Sequence, residues 1–193
     1  MTEIRSVAVF CGSRVGIDPV YAEAGRLLGQ GLAQAGIRLV YGGGRIGIMG
    51  VVADAVLEAG GAVLGVIPEF LTQYEVAHQN ATEMVLTDSM HTRKRRLYEE
   101  ADAFLIMPGG LGTFDEAFEI ITWRQLRLHD KPILLCDIAG WARPLIHLIE
   151  HAVAQGFAAP SARHLFEVVD SVPEALHRLR TIPAGTGVLA ERL

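Results

Sequence analysis

The sequence predicts a single α/β domain in which helices cover both faces of a doubly wound, mostly parallel β-sheet. Short apolar runs rich in β-branched residues recur along the chain, and segments with helical periodicity separate them. Glycine-bearing loops follow several of the runs. Continuous apolar strands that alternate with helices are typical of parallel sheets that are buried on both faces and joined by right-handed crossovers.

Six apolar runs of strand length are predicted to form this sheet. They lie at residues 6–11, 37–41, 62–67, 103–107 and 132–136 and, with a weaker pattern, at 166–169. The stretch 68–80 has the least pattern of all, and we expect a connection there with at most a short turn of helix.

The helices have recognisable ends. Asp18 and Pro19 supply an N-cap and a proline at the first helical position, and Gly36 ends that helix before the second strand. A second helix is expected over 49–59. The others are expected to begin near Asp88 or Ser89, at Thr113, near Trp141 and at residues 172–174.

Composition limits both the organisation and the class of the protein. With 193 residues, of which 50% are hydrophobic and 20% charged, the chain is expected to fold as one domain over 1–181 with a C-terminal tail over 182–193. No apolar run approaches the roughly 20 residues of a membrane span, and no secretory leader is recognisable. We therefore expect a cytoplasmic protein without membrane contact. A net charge of −5 gives no general attraction to nucleic acid.

Two residue types are scarce. Cys11 and Cys136 lie far apart in the sequence and are expected to be reduced and buried, since two cysteines make neither a disulfide framework nor a four-cysteine metal site. The chain has two lysines, Lys94 and Lys131.

Three glycine-bearing loops follow predicted strands, at residues 11–14, 42–47 and 108–113. The carboxyl ends of parallel strands share one edge of the sheet, where helix N-termini offer free N–H groups to anions. The sequence therefore predicts a site for a phosphate-bearing ligand at this edge. The first loop lacks the spacing of a dinucleotide fingerprint and the P-loop pattern is absent, which disfavours classical NAD binding and P-loop NTPase chemistry.

Arg93 is the charged residue with the clearest reason to face inward. It falls on the same helical stripe as Met90 and Leu97, and a buried arginine needs an anionic partner. Lys94, at the next position, is placed to reach the same site.

Thr113 and Glu116 have two competing interpretations. Their Thr-x-x-Glu spacing is that of a capping box at a helix N-terminus. Because the box directly follows a glycine-rich loop at the predicted ligand edge, Glu116 is also placed to present its carboxylate to a substrate hydroxyl or to water. Glu119 adds a second carboxylate one turn later.

His147 and His151 have the i,i+4 spacing of some zinc ligands, but no third ligand is evident, so no metal site is predicted.

Four blocks of the sequence resemble the LOG (lonely guy) family, and the similarity runs from about residue 7 to 155. They are Phe-Cys-Gly-Ser-Arg at 10–14, Tyr-Gly-Gly-Gly-Arg-Ile-Gly-Ile-Met-Gly at 41–50, Met-His-Thr-Arg-Lys at 90–94, and Pro-Gly-Gly-Leu-Gly-Thr-Phe-Asp-Glu at 108–116. The resemblance implies a single Rossmann-like nucleotide-binding domain. It also implies hydrolysis of the N-glycosidic bond of cytokinin riboside 5′-monophosphates, or of AMP, to the free base and ribose 5-phosphate without metal or organic cofactor.

By this resemblance Arg93 and Glu116 are the catalytic pair. Glu116 would bind the ribose hydroxyls, activate the attacking water and stabilise positive charge on the sugar, while Arg93 would position the substrate or assist departure of the base. The substrate-binding residues implied are Ser13, Gly44, Glu83, Lys94, Gly109, Gly110, Leu111, Gly112, Thr113 and Thr122. Asp115 and Leu111 replace a glutamate and a tyrosine that are frequent in the family.

The resemblance further implies a homodimer that acts on a nucleoside 5′-monophosphate, and it leaves the base open between adenine and a prenylated adenine. A protein of the same scaffold that binds the nucleotide without cleaving it is the alternative. Lysine decarboxylation, a label often given to this family, is disfavoured because pyridoxal phosphate enzymes need a Schiff-base lysine, and Lys94 and Lys131 are both poorly placed for one.

Overall fold

A computed structural model describes residues 3–73, 78 and 80–185 of the chain, which form one seven-stranded sheet with six α-helices. The strands are β1 (Ser6–Phe10), β2 (Arg38–Tyr41), β3 (Val63–Pro68), β4 (Glu83–Thr87), β5 (Ala103–Ile106), β6 (Ile133–Cys136) and β7 (Glu167–Val169). The helices are α1 (Pro19–Gln34), α2 (Gly47–Glu58), α3 (Met90–Glu99), α4 (Leu111–Gln125), α5 (Arg143–Ala154) and α6 (Val172–Thr181).

The sheet is parallel throughout, in the order β4-β3-β2-β1-β5-β6-β7. The chain adds strands outward from β1 on one side and then, from β5 onward, on the other. This reversal is the switch point at which doubly wound sheets open a crevice for ligands. The predicted α/β fold is therefore confirmed.

Two apolar cores cover the two faces of the sheet. Along β1, Val7 and Val9 belong to the core beneath α1, α2 and α6, and Ala8 and Phe10 to the core beneath α3, α4 and α5. Alternate residues of one strand thus face opposite helical layers, which explains why both faces of the strands are apolar.

All six predicted strands are present, and β4 is a strand that the sequence analysis missed. It lies at the edge of the sheet, where Glu83 and Leu86 are exposed and Met84 and Val85 are half-buried. Its pattern is weak because one side of an edge strand faces solvent. The short turn of helix expected in 68–80 is a 3-10 helix at Glu69–Gln73, and residues 74–77 and 79 of that stretch lie outside the described residues.

Three helices begin with side-chain caps, the first of them the predicted Asp18 cap. Asp18 accepts a hydrogen bond from the Val20 N–H at 2.9 Å, Ser89 from Thr92 at 3.2 Å, and Ser171 from Glu174 at 3.3 Å. Helices α2, α4 and α5 begin at most two residues from their predicted starts. Beyond α6, Ile182 and Ala184 pack against the first core, and residues 186–193 of the predicted tail lie outside the described residues.

No helix within the described residues has the length and apolar character needed to cross a membrane.

Candidate active site

The three glycine-bearing loops meet at the carboxyl edge of the sheet, as predicted. The Gly12 N–H donates to the Pro108 carbonyl at 3.0 Å, and the Met49 N–H donates to the Gly12 carbonyl at 3.2 Å. These bonds tie the loop after β1 to the loop after β5 on one side and to the start of α2 on the other.

Two glycines are needed for this close packing. Gly47 has φ +67°, and a Cβ there would overlap the backbone of Ser13 and Arg14. A Cβ on Gly109 would lie 2.7 Å from the Gly12 nitrogen. A larger residue at either position would push the loops apart.

Helix α4 begins at Leu111, two residues before the predicted start, with Gly110 as an N-cap that makes no side-chain hydrogen bond. The predicted capping box is therefore wrong. Thr113 is the third residue of the helix, 3% exposed, and the Glu116 side chain bonds to Arg93 instead of to the helix end. The N–H groups of a first helical turn have no partner within the helix, so this end remains open to an anion.

Arg93 points inward, as its helical stripe predicted, and meets Glu116. Its side chain is buried, with Nη1 donating to Glu116 Oε1 at 2.7 Å and Nε donating to the Val66 carbonyl at 3.2 Å. The guanidinium lies against Gly42, where a side chain would collide with it. The pair is therefore fixed by contacts from α3, α4, β3 and the loop after β2.

The surroundings of Glu116 act on its pKa in opposite directions. Burial raises the pKa of the carboxyl, while the charges of Arg93 and Lys94 lower it, and the net result lies above the ordinary value of 4.5. Glu116 is thus a carboxylate that holds a proton more readily than a solvent-exposed glutamate does.

Cys11 lines the same space, but its thiol is unreactive. Burial first, and then the negative charge of Glu116, raise the pKa of Cys11 well above its usual range. A neutral thiol is a poor nucleophile, so Cys11 contributes volume rather than chemistry.

Lys94 binds two other carboxylates and does not line the cavity that contains Arg93 and Glu116. Its Nζ lies 2.8 Å from Asp115 Oδ2 and 3.3 Å from Glu119 Oε1. Partial burial works against the charge on Lys94, but these two carboxylates outweigh that effect and raise its pKa. Lys94 therefore joins α3 to α4 beside the site.

Two neighbouring cavities lie along this edge. One, of about 220 Å³, contains Arg93 and Glu116 together with the start of α4 and the side chains of Met49, Leu71 and Met90. The other, of about 490 Å³, has largely apolar walls that include Tyr21, Ile48 and Trp141. Four residues belong to the lining of both cavities: Gly12, Ser13, Gly110 and Leu111.

Most predicted substrate-binding residues lie at these cavities. Ser13, Gly110 and Leu111 line both, Gly112 and Thr113 line the cavity with Glu116, and Gly109 lines the apolar one. Gly44 is buried within the loop after β2.

The structure does not bring Glu83 and Thr122 to the cavities. Glu83 is the first residue of β4 and pairs with Leu64, so it lies at the amino edge of the sheet, about 13 Å of strand away from the carboxyl end. Thr122 is exposed on α4, eleven residues or about 16 Å of helix beyond Leu111.

His147 and His151 are both exposed on α5. Within residues 3–73, 78 and 80–185, no group of three or more metal-binding side chains is present.

Comparisons with known proteins agree with the motifs. A family model described as "possible lysine decarboxylase" matches residues 49–179. A cytokinin riboside 5′-monophosphate phosphoribohydrolase of Rhodococcoides fascians is 42% identical over 178 residues, which cover 92% of this chain and 90% of the relative. One of Arabidopsis thaliana is 40% identical over 191 residues, 98% of this chain and 84% of the relative. The chain belongs to the LOG family.

Solved structures show that the LOG-family chain shares its fold with more distant proteins. The molybdenum cofactor binding protein of Rippkaea orientalis superposes with a TM-score of 0.69 at 18% identity, covering 94% of this chain and 97% of that one. The molybdenum cofactor carrier protein of Chlamydomonas reinhardtii gives a TM-score of 0.69 at 18% identity, covering 93% and 96%. At such identities the likeness concerns the fold alone.

Trp141 is a residue of this LOG-family site that the sequence analysis did not identify. Its Nε1–H donates to the Gly109 carbonyl at 3.2 Å, and its ring stacks on Phe114 with centroids 5.5 Å apart and planes 4° apart. The sequence does contain one indication that Trp141 belongs to the site, which is its position after a strand. Trp141 follows β6 closely, as the three glycine loops follow their strands, and so belongs to the same edge.

Proposed function

We propose that this LOG-family chain hydrolyses the N-glycosidic bond of adenosine 5′-monophosphates, including N6-modified ones, and releases the free base and ribose 5-phosphate. The observation that carries the proposal is the buried Arg93–Glu116 pair, joined at 2.7 Å, beside the open N-terminus of α4. The names of the relatives support the reaction class.

The substrate phosphate binds at the start of α4 in this proposal. The N–H groups of residues 111–113 lie there at the positive end of the helix dipole, and Ser13 lines the same cavity. Phosphate bound at this end places the ribose over the first turns of α4, where Glu116 follows Thr113 by three residues.

Glu116 acts as the base for the attacking water. Arg93 holds Oε1, and no described residue donates to Oε2, so Oε2 is the oxygen available to water or to a ribose hydroxyl. Water adds to C1′ while the C1′–N9 bond breaks, and the bonding electrons leave with the base, which takes up a proton from solvent. Glu116 takes a proton from the water, and its negative charge stabilises the positive charge that develops on the sugar.

Arg93 orients the carboxylate and keeps it charged. Its second donor is fixed on the Val66 carbonyl at 3.2 Å, so the guanidinium presents Nη1 to Glu116 in one geometry. Arg93 therefore acts on Glu116 directly, and departure of the base depends on it through that contact.

The lysines favour hydrolysis over decarboxylation. Neither Lys94 nor Lys131 lines the two cavities. Lys94 is engaged by Asp115 and Glu119, and Lys131 is buried with Nζ donating to the Tyr98 carbonyl at 2.7 Å. Neither amine is placed to form a Schiff base with a cofactor at the carboxyl edge.

We also propose a homodimer and a cytoplasmic location. An exposed stripe of α4, formed by Leu111, Phe118, Thr122 and the following Leu126, supports the dimer, because large apolar side chains on one helix face favour a protein partner. Cys11 and Cys136 are free and buried, which suits a reducing compartment.

The test of the reaction is Glu116→Gln. The amide oxygen of glutamine can still accept the hydrogen bond from Arg93, so the site keeps its shape while losing the base. We expect base release from AMP and from N6-isopentenyl-AMP, measured by chromatography, to fall by about 100-fold or more, with nucleotide binding retained. Glu119→Gln, one turn away, is the matched control and should stay near the wild-type rate.

Two outcomes would contradict the proposal. Wild-type protein that binds both nucleotides and releases no base would be a nucleotide-binding protein of this fold. A Glu116→Gln variant that releases base at the wild-type rate would remove Glu116 from the reaction. Where base is released, the ratio of kcat/KM for the two nucleotides identifies the preferred base.

A further inference from the structure

Trp141 follows a strained turn and lies next to residues 110–113, the phosphate loop of the proposed function. Between β6 and α5, Ala139 has φ +52° and Gly140 has φ +79°. The left-handed conformation costs a residue with a side chain about 1 kcal/mol, and such strain persists where surrounding contacts hold it. Asp137 holds this turn, since its Oδ1 accepts from the Ala142 N–H at 2.8 Å.

The Trp141 side chain contacts both ends of the loop that would bind phosphate. Its Nε1–H bonds to the carbonyl of Gly109, just before the loop, and its ring lies flat on Phe114, at the end of the first turn of α4. The indole thus spans the segment 110–113.

The hydrogen bond from Trp141 to the Gly109 carbonyl also orients the next N–H group, that of Gly110. In a planar trans peptide the C=O and the following N–H point in opposite directions, and no cis peptide occurs among the described residues. With the Gly109 carbonyl turned to Trp141, the Gly110 N–H points away from the indole. Gly110 lines both cavities, as Gly12 and Ser13 do.

We propose that Trp141 is a positioning residue for the substrate phosphate, because its indole N–H fixes the Gly109–Gly110 peptide with the N–H of Gly110 facing the phosphate. The inference rests on the proposed function for the identity of the substrate. Trp141 does not line the cavity that holds Arg93 and Glu116. Its loss therefore weakens binding of the phosphate and leaves the bond-breaking step intact.

Trp141→Phe separates this role from packing. Phenylalanine keeps a ring to stack on Phe114 and removes the N–H donor. We expect KM for AMP and the inhibition constant of inorganic phosphate each to rise about ten-fold, the effect of one lost hydrogen bond, with kcat within about two-fold of wild type. Trp123→Phe, at the other tryptophan, is the matched control and should keep both constants.

A binding measurement tests the same contact without turnover and without the Trp141 variant. In Trp123→Phe protein, Trp141 is the sole tryptophan of the chain. We expect ribose 5-phosphate and inorganic phosphate to change its fluorescence saturably, and adenosine to leave it unchanged.

The proposal is overturned if Trp141→Phe folds and binds phosphate as tightly as wild type, or if phosphate inhibits the Trp123→Phe protein without changing its emission. A loss of kcat with unchanged KM would also contradict it, because Trp141 would then act on the reaction step. Failure of the proposed function looks different, since wild-type protein would release no base while Trp141 still reported bound phosphate.

Discussion

The acid–base behaviour of Glu116 depends on two opposing contacts at the scale of a single residue. Burial favours the neutral acid, whereas the Arg93 guanidinium at 2.7 Å favours the carboxylate. Because a base must be deprotonated to accept a proton from water, kcat/KM is expected to fall as the pH drops through the pKa of Glu116. The midpoint of this acidic limb of the pH profile should lie above the ordinary glutamate pKa of 4.5.

Removing the charge of Arg93 is expected to shift the acidic limb of the pH profile to higher pH. In Arg93→Met the carboxylate loses its nearest cation while it remains buried, so the pKa of Glu116 rises further. We expect the midpoint of the acidic limb of kcat/KM to move up by at least about one pH unit. Arg93→Lys, which keeps the positive charge, should stay closer to wild type.

The measurement is the pH profile of base release, together with a carbon-13 NMR titration of the Glu116 carboxyl. The NMR titration reports the same pKa even if turnover is slow. An acidic limb at the same pH in wild type and Arg93→Met would show that another group controls it.

The glycines between β5 and the first turn of α4 divide into two kinds at the scale of the element. Gly109 is required by packing, since a Cβ there would lie 2.7 Å from the Gly12 nitrogen. A Cβ on Gly110 or Gly112 would meet nothing within 4 Å. The folded chain therefore gives no steric reason for Gly110 and Gly112, and we attribute them to the ligand that approaches the start of α4.

This division predicts opposite effects on stability. Gly112→Ala should raise the free energy of unfolding by about 0.5–1 kcal/mol, because alanine is the better helix former, and should weaken binding of ribose 5-phosphate. Gly109→Ala should lower the free energy of unfolding by about 1–3 kcal/mol because its Cβ overlaps the neighbouring loop. Urea denaturation and fluorescence titration measure the two quantities. A Gly112→Ala variant that binds ribose 5-phosphate normally would contradict a phosphate contact at this backbone.

Element by element, the sequence revealed what depends on local pattern and missed what depends on distant contacts. Buried strands such as β1 and β5 are apolar on both faces and were predictable, whereas β4 was not, because an edge strand keeps exposed residues such as Leu86. The Thr113–Glu116 spacing fits a capping box, but Arg93, 23 positions from Glu116, competes for the carboxylate. Trp141 lies 32 positions from Gly109, so its hydrogen bond has no local signature.

At the scale of the whole molecule, the candidate site lies at one end of the sheet. The carboxyl edge gathers the glycine loops, the Arg93–Glu116 pair and both cavities around β1, where the order of strands reverses. The order of elements alone predicts that edge, since ligands bind where a doubly wound sheet opens. Motif resemblance then suggested the proposed roles of individual residues, which topology does not specify.

The exposed stripe of α4 connects this edge to the proposed dimer. Leu111, 87% exposed, lines both cavities and begins the stripe that continues through Phe118 and Thr122. A second copy that packs on this stripe would cover the mouth of the cavities and could bring Thr122 of one chain near the substrate of the other. Assembly and base release are therefore expected to depend on the same surface.

Phe118→Arg tests this surface because a charge replaces an apolar side chain at its centre. We expect wild-type protein to sediment at twice the 20.9 kDa chain mass and Phe118→Arg to sediment as a monomer with reduced base release. Phe157→Arg is the matched control, since Phe157 is 90% exposed and follows α5 rather than belonging to α4. If Phe118→Arg stays dimeric while Phe157→Arg dissociates, the interface lies elsewhere. If Phe118→Arg is monomeric with full activity, one chain holds the complete site and Thr122 has no part in it.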